Sequence, residues 1–406
     1  MIAPHADARA AALAALLSLD RVGHLDRAWD EIGLPQDPRD AALARELALG
    51  AVRWLRLYDA LAARFLRQRP EPGLSWALRI GCHQLFALDR VPPSAAVDSS
   101  VSALRELGHA HATGIANAVL RRLADLRLDD RHDAGPLGRL APDQQPIAAG
   151  VRASMPDLLL HELAPLLDGQ PQRSLADLDR LPPLCLRALP GTTIPAHPAM
   201  LRQEGPWSWW EDPAEAIRLW VAPGLATVQD RAQGALADTL AGLGVLRPGR
   251  LVADWCAAPG GKSAALGEQH HRVIAADVPT RIRQVDARFV RLAHDGRKPA
   301  LAPAFDAVVV DAPCSNTGTL ARHPEARWRV TRQHLDQLAA LQMGLLRGAA
   351  KAVRPEGILV YATCSLLPRE NQGIAHRLDG WRILAEELRW PDGWRGGAYH
   401  VVLVRS

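Results

Sequence analysis

The chain has 406 residues, 48% hydrophobic and 23% charged, with a formal net charge of +4. That length allows two or three domains with sizeable cores, and no apolar run of about 18 residues reads as a membrane span. Cys82, Cys185, Cys256, Cys314 and Cys364 form an odd, scattered set; this argues for a reducing cytoplasm and against a disulfide framework or a zinc cluster.

The N-terminus, MIAPHADARAAALAALL, carries Asp7 and Arg9 where a signal peptide would be apolar, so it reads as the start of an amphipathic helix. Residues 6 to about 128 continue in helical periodicity through ARAAALAALLSL, RDAALARELALGAVRWLRLYDALAARFL, LSWALRIGCHQLFAL, AAVDSSVSALRELG and TGIANAVLRRLADL. Breaks fall at GLPQDP, RPEPG and RVPPS, so residues 1–135 are expected to form a helical bundle. The polar, Pro- and Gly-rich stretch 129–150 reads as a linker. Residues 136–215 join this linker to a small mixed subdomain with a strand candidate at PPLCLRAL and three Trp in WSWW.

From about residue 216 the texture changes. GRLVADWCAAPGGKSAAL (249–266) reads as strand, Gly-rich turn and helix. RVIAADV, FVRLAHD, FDAVVVDAPC and GILVYATCS follow as strands, with a helix around 333–352 and late strand candidates at WRILAEEL and AYHVVLVR. Alternating strands and helices predict a parallel, doubly wound α/β sheet over 216–406. Ligands of such sheets bind beyond the carboxyl ends of the strands. Asp254, Asp277, Asp295, Asp311, Cys314 and Cys364 all fall at or just past such ends.

AAPGGKS invites a phosphate-loop reading, but the position five residues before the Gly-Lys-Ser is Cys256, not Gly. No G-x-G-x-x-G is present either. A Gly-rich turn after the first strand and an acid, Asp277, ending the second suit a nucleoside cofactor without a pyrophosphate, such as S-adenosylmethionine. Packing is the ordinary reading of a lone Cys, and it is kept for Cys82 and Cys185. Cys314 in DAPCS and Cys364 in ATCS differ, because they close successive strands and neighbouring strand ends lie about 5 Å apart. Two thiols beside a nucleoside-cofactor pocket suggest covalent catalysis. Methylation of a pyrimidine ring carbon needs it: C5 of cytosine is a poor nucleophile until a thiolate adds at C6, and H5 must then leave.

DWCAAPGGK, DAPCSNTGTLARHPEARW and YATCSLLPREN resemble the RNA cytosine-C5 methyltransferases of the NOL1/NOP2/Sun group. The N-terminal helices, with ALRIGCHQLFALDRVPPSAAVDSSV and IANAVLRR, resemble a NusB-like RNA-binding domain. Together they match the layout of the bacterial 16S ribosomal RNA methyltransferases of that group. The resemblance implies a NusB-like bundle, a small mixed subdomain and a Rossmann-like, S-adenosylmethionine-dependent catalytic domain. The implied reaction is methylation of cytosine C5 in 16S ribosomal RNA, with cytosine 967 the family expectation, by a cytoplasmic monomer acting on unassembled or partly assembled RNA.

By the same resemblance, Cys256, Ala257, Ala258, Pro259, Gly260, Gly261, Lys262, Asp277, Asp295 and Asp311 contact the cofactor. Cys364 is the nucleophile, Cys314 assists release, Asp311 lies near the flipped base and Lys262 sits in the cleft. Arg187, Arg322, Arg327, Trp328 and Arg329 are expected to contact RNA through phosphate and base stacking. Basic and acidic residues balance over residues 1–133, so the basic excess lies downstream, and it is nearly all Arg; Arg suits forked phosphate contacts, although a GC-rich genome gives the same bias. Two departures stand out: the stretch from Asp277 to Asp295 is short, which trims the helix after the second strand, and Asn316 stands where Gly or Ala is common. A transfer RNA methyltransferase and a non-enzymatic RNA-binding or assembly factor are the alternative readings.

Overall fold

A computed structural model describes residues 7–128, 135–146, 148–244, 247–269, 272–298 and 303–405. The chain divides into two compact units, one of residues 1–161 with 323–329, the other of 162–322 with 330–406. This differs from the three-part division read from sequence. Residues 136–161 group with the helices, the small mixed subdomain groups with the catalytic sheet, and a short later segment returns to the helical unit. Residues 129–134 and 147 of the expected linker lie outside the described residues.

The helical unit holds α1 (Ala8–Val22), α2 (Leu25–Ile32), α3 (Pro38–Arg53), α4 (Leu55–Ala63), α5 (Pro72–Ala87), α6 (Pro93–Glu106) and α7 (Thr113–Ala124). Their ends follow local chemistry. Asp7 caps α1 by accepting from the N–H groups of Arg9 and Ala10, and Gly23 ends it at φ 78°. Asp37 and Glu71 cap α3 and α5, each just before a Pro at the first helical position. Gly50 lets α3 approach α5 closely, because a Cβ there would lie 2.0 Å from the His83 ring. The one long periodic run, 39–66, breaks at Trp54 (φ −101°, ψ 19°) with neither Gly nor Pro at the break. The Arg56 N–H just beyond it donates to Ser154 Oγ at 3.0 Å, a distant partner that helical periodicity cannot reveal.

In the second unit, β1 (Leu184–Ala188), β2 (Met200–Glu204), β3 (Trp207–Trp210) and β4 (Ala226–Val228) make an antiparallel sheet in the order β2-β3-β1-β4. All three Trp of β3 are buried in it. The larger sheet comprises β5 (Leu251–Trp255), β6 (Arg272–Asp277), β7 (Val290–Ala293), β8 (Phe305–Asp311), β9 (Val353–Thr363), β10 (Trp381–Arg389) and β11 (Ala398–Arg405). Its order is β10-β11-β9-β8-β5-β6-β7. The five strands from β9 to β7 run parallel, and β11 and β10 add an antiparallel edge.

Alternate residues of each strand face opposite sides of this sheet. Val252, Val309, Val360 and Val402 pack with Leu236, Leu240 and Leu266 from the helices Arg231–Leu243 and Gly261–Glu268. Val308, Val310, Tyr361 and Val401 pack with Leu345, Leu346 and Ala349 from the helix Arg332–Ala352. Each buried Val or Leu among them contributes roughly 1.5–3 kcal/mol. The chain runs from β5 outward to β7, then returns to the other side of β5 with β8. The strand order therefore reverses between β5 and β8, where such sheets hold ligands. Between β6 and β7 the described chain has one 3-10 turn, Ile282–Gln284, so the crossover helix is trimmed as the short spacing predicts.

Candidate active site

The carboxyl ends of β5, β6 and β8 open onto a cavity of about 220 Å³, lined among others by Trp255, Cys256, Asp277, His294, Asp295 and Pro313. Cys256 leaves β5 at φ 61° and Gly260 has φ 112°, so the turn bends back over the strand ends. The turn is pinned where Ala258 N–H donates to Asp277 Oδ2 at 3.0 Å and Ala257 N–H donates to Ala276 O at 3.1 Å. Pro259, Gly260 and Gly261 then start the helix that carries Lys262. Burial, with Asp277, Asp311 and Asp254 nearby, pushes the Cys256 thiol up, so it stays neutral. Asp295 is gripped by its own neighbour: Arg297 donates through Nε at 2.9 Å and Nη2 at 2.6 Å. These bonds hold the Asp295 carboxyl down at about 2.

Two cavity-lining groups have no partner. Trp255 Nε1 and both ring nitrogens of His294 are buried without a hydrogen bond, and the rings meet edge to face at 4.9 Å. Buried polar atoms of this kind call for a hydrogen-bond partner. They fit a nucleoside cofactor with its own donors and acceptors. Sequence reasoning missed His294, although it directly precedes Asp295.

Lys262 Nζ donates to Asp311 Oδ2 at 2.6 Å and Gln233 Oε1 at 2.8 Å. Burial alone would lower the Lys262 ammonium, but Asp311 outweighs it and the net shift is upward. Lys262 therefore stays charged and holds the Asp311 carboxylate in place.

The thiols meet. Because β8 and β9 are parallel neighbours, with Asp311 opposite Ala362, Cys314 Sγ and Cys364 Sγ lie 3.2 Å apart. Each is followed by a serine, and the two serines are joined from below. Glu370, fully buried, accepts from Ser315 N–H at 2.9 Å, Ser365 Oγ at 2.6 Å, Gln342 Nε2 at 2.9 Å and Ser315 Oγ. One carboxylate thus ties both cysteine loops to each other and to the helix Arg332–Ala352. Thr363, on the other side of Cys364, donates to Asn371 Oδ1 at 2.7 Å. Gly318 adds a close approach, its N–H donating to Cys364 O at 2.8 Å; a Cβ there would lie 2.7 Å from that oxygen. Asn316 Oδ1 reaches Cys364 Sγ at 2.9 Å. The Cys314 thiol is pushed well up, first by its hydrogen bond to Cys364 and then by burial, the charge of Cys364 and Glu370. Cys82 and Cys185 are buried in packing, as expected.

The residues expected on RNA divide differently. Arg187 is 7% exposed. Its Nε donates to Gln229 Oε1 at 2.6 Å, its Nη atoms grip Glu268, and its guanidinium stands over Trp207, which leaves no fork for phosphate. Arg327 is fully buried and donates to the carbonyls of Arg53 and Ser154, both at 3.3 Å. Trp328 donates to Val52 O at 2.8 Å and packs against the helical core. Arg329 reaches Gly23 O at 3.5 Å and His24 at 2.7 Å. The segment 323–329 is thus an anchor inside the helical unit, which corrects the phosphate and stacking roles read for Arg327 and Trp328, as the grip on Glu268 corrects the one read for Arg187. Arg322 keeps 35% of its side chain exposed beside Asp230.

A switch-point cavity, a Gly-rich turn, an acid ending the second strand and a mostly parallel seven-stranded sheet define a Rossmann-like methyltransferase that uses S-adenosylmethionine. The family description "16S rRNA methyltransferase RsmB/F" matches residues 245–380, and the NusB family matches residues 6–125. Ribosomal RNA small subunit methyltransferase B of Xanthomonas campestris is 35% identical over 369 residues, 83% of this chain and 78% of that protein. The protein of the same name from Pseudomonas putida is 33% identical over 422 residues, 91% of each chain. The crystal structure of PH0851 shares the fold, with a TM-score of 0.72 at 18% identity over 97% of this chain and 98% of that one. This chain belongs to the 16S rRNA methyltransferase RsmB/F family, and carries the NusB-family domain at its N-terminal end.

Proposed function

We propose that the protein methylates C5 of one cytosine in 16S ribosomal RNA through a covalent adduct on Cys364. The observation that carries this reading is the pair of thiols 3.2 Å apart at adjacent parallel strand ends. They stand beside a cavity whose lining atoms suit a nucleoside cofactor. When bound, S-adenosylmethionine supplies an electrophilic methyl group. The turn Cys256–Lys262, Asp277 and His294 would hold it, with Asp295 at the rim and Asp311 toward the base.

The target base leaves its stack to reach such a site. The Cys364 thiolate adds to C6, and the C5–C6 π pair makes C5 nucleophilic. The Asp311 carboxylate, fixed by Lys262, accepts from the exocyclic amino group of the base, and the Lys262 ammonium offsets the negative charge that builds toward N3. C5 takes the methyl group and becomes saturated. Cys314 then removes H5, the pair left behind restores the C5–C6 double bond, and the Cys364–C6 bond breaks to return a thiolate.

The order of events follows from the two thiols' environments. The hydrogen bond to Cys364 is the first reason for Cys314 to keep its proton, followed by burial, the charge of Cys364 and Glu370. Once Cys364 is bonded to C6, its hydrogen bond and its charge no longer act, and only burial and Glu370 still hold that proton. Cys314 then loses its proton to solvent and becomes the base when H5 must go. Arg322, outside the cavity and partly exposed, and Arg329, exposed, are the phosphate contacts that remain of the expected set. Bisulfite sequencing of total RNA from a deletion strain tests the assignment. Loss of one 16S signal, at cytosine 967 by the family expectation, with rescue by the gene supports it. Loss confined to transfer RNA, or no loss, overturns it.

A further inference from the structure

Asn316 sits in the Cys314 loop with φ 60° and ψ 24°, the left-handed region that Asn tolerates better than most residues. Its main chain is fixed on both sides. Ser315 N–H is held by Glu370, Gly318 N–H by Cys364 O, and Asn316 O accepts from Thr319 N–H at 3.0 Å. That frame projects the amide across the thiol pair, with Oδ1 2.9 Å from Cys364 Sγ and 3.7 Å from Cys314 Sγ. The amide is thus closest to the thiol that must ionise.

A primary amide has one acceptor oxygen and two N–H donors, exchanged by a half-turn about χ2. Oδ1 accepts from a thiol; Nδ2 donates to a thiolate. A Gly or Ala in this place does neither. We infer that Asn316 is a positioning residue that stabilises the Cys364 thiolate: Cys364 gives its proton to solvent, the amide turns over, and Nδ2–H donates to the sulfur. This rests on the reading of Cys364 as the attacking thiol. Groups of both signs stand around Cys364. Cys314 donates an S–H, and Lys262 lies close enough to interact with the Cys364 charge. Asp311 and Asp254 stand beside Lys262, and Glu370 and the Tyr361 hydroxyl lie beside Cys314. Beside these groups the amide, 2.9 Å from the sulfur, supplies a neutral donor. A hydrogen bond to the charged form favours it, and a shift of about one pH unit is a tenfold change in thiolate at fixed pH.

The test is the pH dependence of iodoacetamide alkylation in the full chain without RNA, with Cys364 and Cys314 followed separately by peptide mass. Asn316→Gly keeps the left-handed backbone, which glycine adopts freely, and removes only the amide. The Cys364 midpoint should rise by about one pH unit, with the melting temperature unchanged. Asn316→Asp keeps the shape, exchanges the donor for an anion, and should raise the midpoint further. Superimposable Cys364 profiles for wild type and Asn316→Gly overturn the inference, as does an equal shift at both thiols. Because alkylation needs no RNA, this outcome is independent of which thiol attacks cytosine; trapping of the RNA adduct decides that separately.

Discussion

Two polar stretches follow one another closely in the chain and behave in opposite ways. Residues 311–318 leave the end of β8 and present Asp311 to Lys262, and Cys314 and Asn316 to Cys364. Residues 323–329 hold two Arg, a His and a Trp, yet Arg327 is fully buried and Trp328 is bonded to the backbone of α3. The first stretch is held in place by its neighbours so that its reactive groups stay available. The second uses its own polar groups as the anchor. Position relative to a strand end, more than the number of charges, separates chemistry from architecture here.

The sharpest way to break this comparison is to remove the thiols, which should abolish chemistry and leave the fold. Cys364→Ala should form no RNA adduct and transfer no methyl group, and it should bind RNA reversibly. Cys314→Ala should still attack and methylate, then stall, accumulating a protein–RNA species that survives denaturing electrophoresis and requires Cys364. If the trapped species appears with Cys364→Ala and not with Cys314→Ala, the roles are reversed. If neither variant traps RNA and both only lose the ~1–3 kcal/mol typical of core changes, the thiols are packing.

Glu370 should give the next largest effect, because it belongs to both behaviours. It is buried like an anchor, yet it holds the thiol loops together. Glu370→Gln keeps the volume but turns an amide N–H toward donors from Ser315, Ser365 and Gln342. The expected loss is about 2–4 kcal/mol of stability. Disulfide formation between Cys314 and Cys364 under mild oxidant should also slow, since the 3.2 Å spacing is no longer enforced. An unchanged melting curve with an unchanged oxidation rate would show that Glu370 does not set that spacing.

Arg327 tests the other stretch. Arg327→Met fills the space but leaves the carbonyls of Arg53 and Ser154 without their donor, so calorimetry should show a loss of about 2–3 kcal/mol. The salt dependence of RNA binding should not change, whereas a lost phosphate contact would reduce its slope by about 0.7–0.9. A reduced slope with normal stability would return Arg327 to the RNA surface.

What was legible in the sequence follows the same division. Strand-end positions are set by local periodicity, so Asp277, Asp311, Cys314 and Cys364 could be placed without coordinates. The helix trimmed before Asp295 was legible from the Asp277–Asp295 spacing set against the pattern of the family that the motifs resemble. Arg187 and Arg327 were misread because the partners that bury them, Glu268 in one case and Ser154 in the other, are 81 and 173 residues away in sequence. The break at Trp54 was hidden for the same reason. Glu370 had a local signal that went unused: a serine follows each active-site cysteine, and buried hydroxyls need a common acceptor.

Asp254 should give the smallest effect, and it sharpens the comparison because it ends in a buried place despite lying near a strand end. It is fully buried, its Oδ2 accepts from Ser263 Oγ at 2.5 Å, and its Oδ1 has no partner. Burial raises its pKa from 3.8 to about 7, against the opposing Ser263 bond. The folded chain therefore holds this proton between about pH 4 and 7 while the unfolded chain has released it. Stability rises with pH only where the unfolded state binds more protons, and here the folded state binds more. The Asp254 contribution is thus fully present below about pH 4 and lost as pH rises through about 7. Asn at this position carries no charge at any pH and lacks that slope. The melting temperature of Asp254→Asn relative to wild type should climb between about pH 5 and 7 and level off above about 8. Parallel curves across that window would mean that Asp254 is ionised in the folded protein at pH 5, with a partner that the buried Oδ1 does not show.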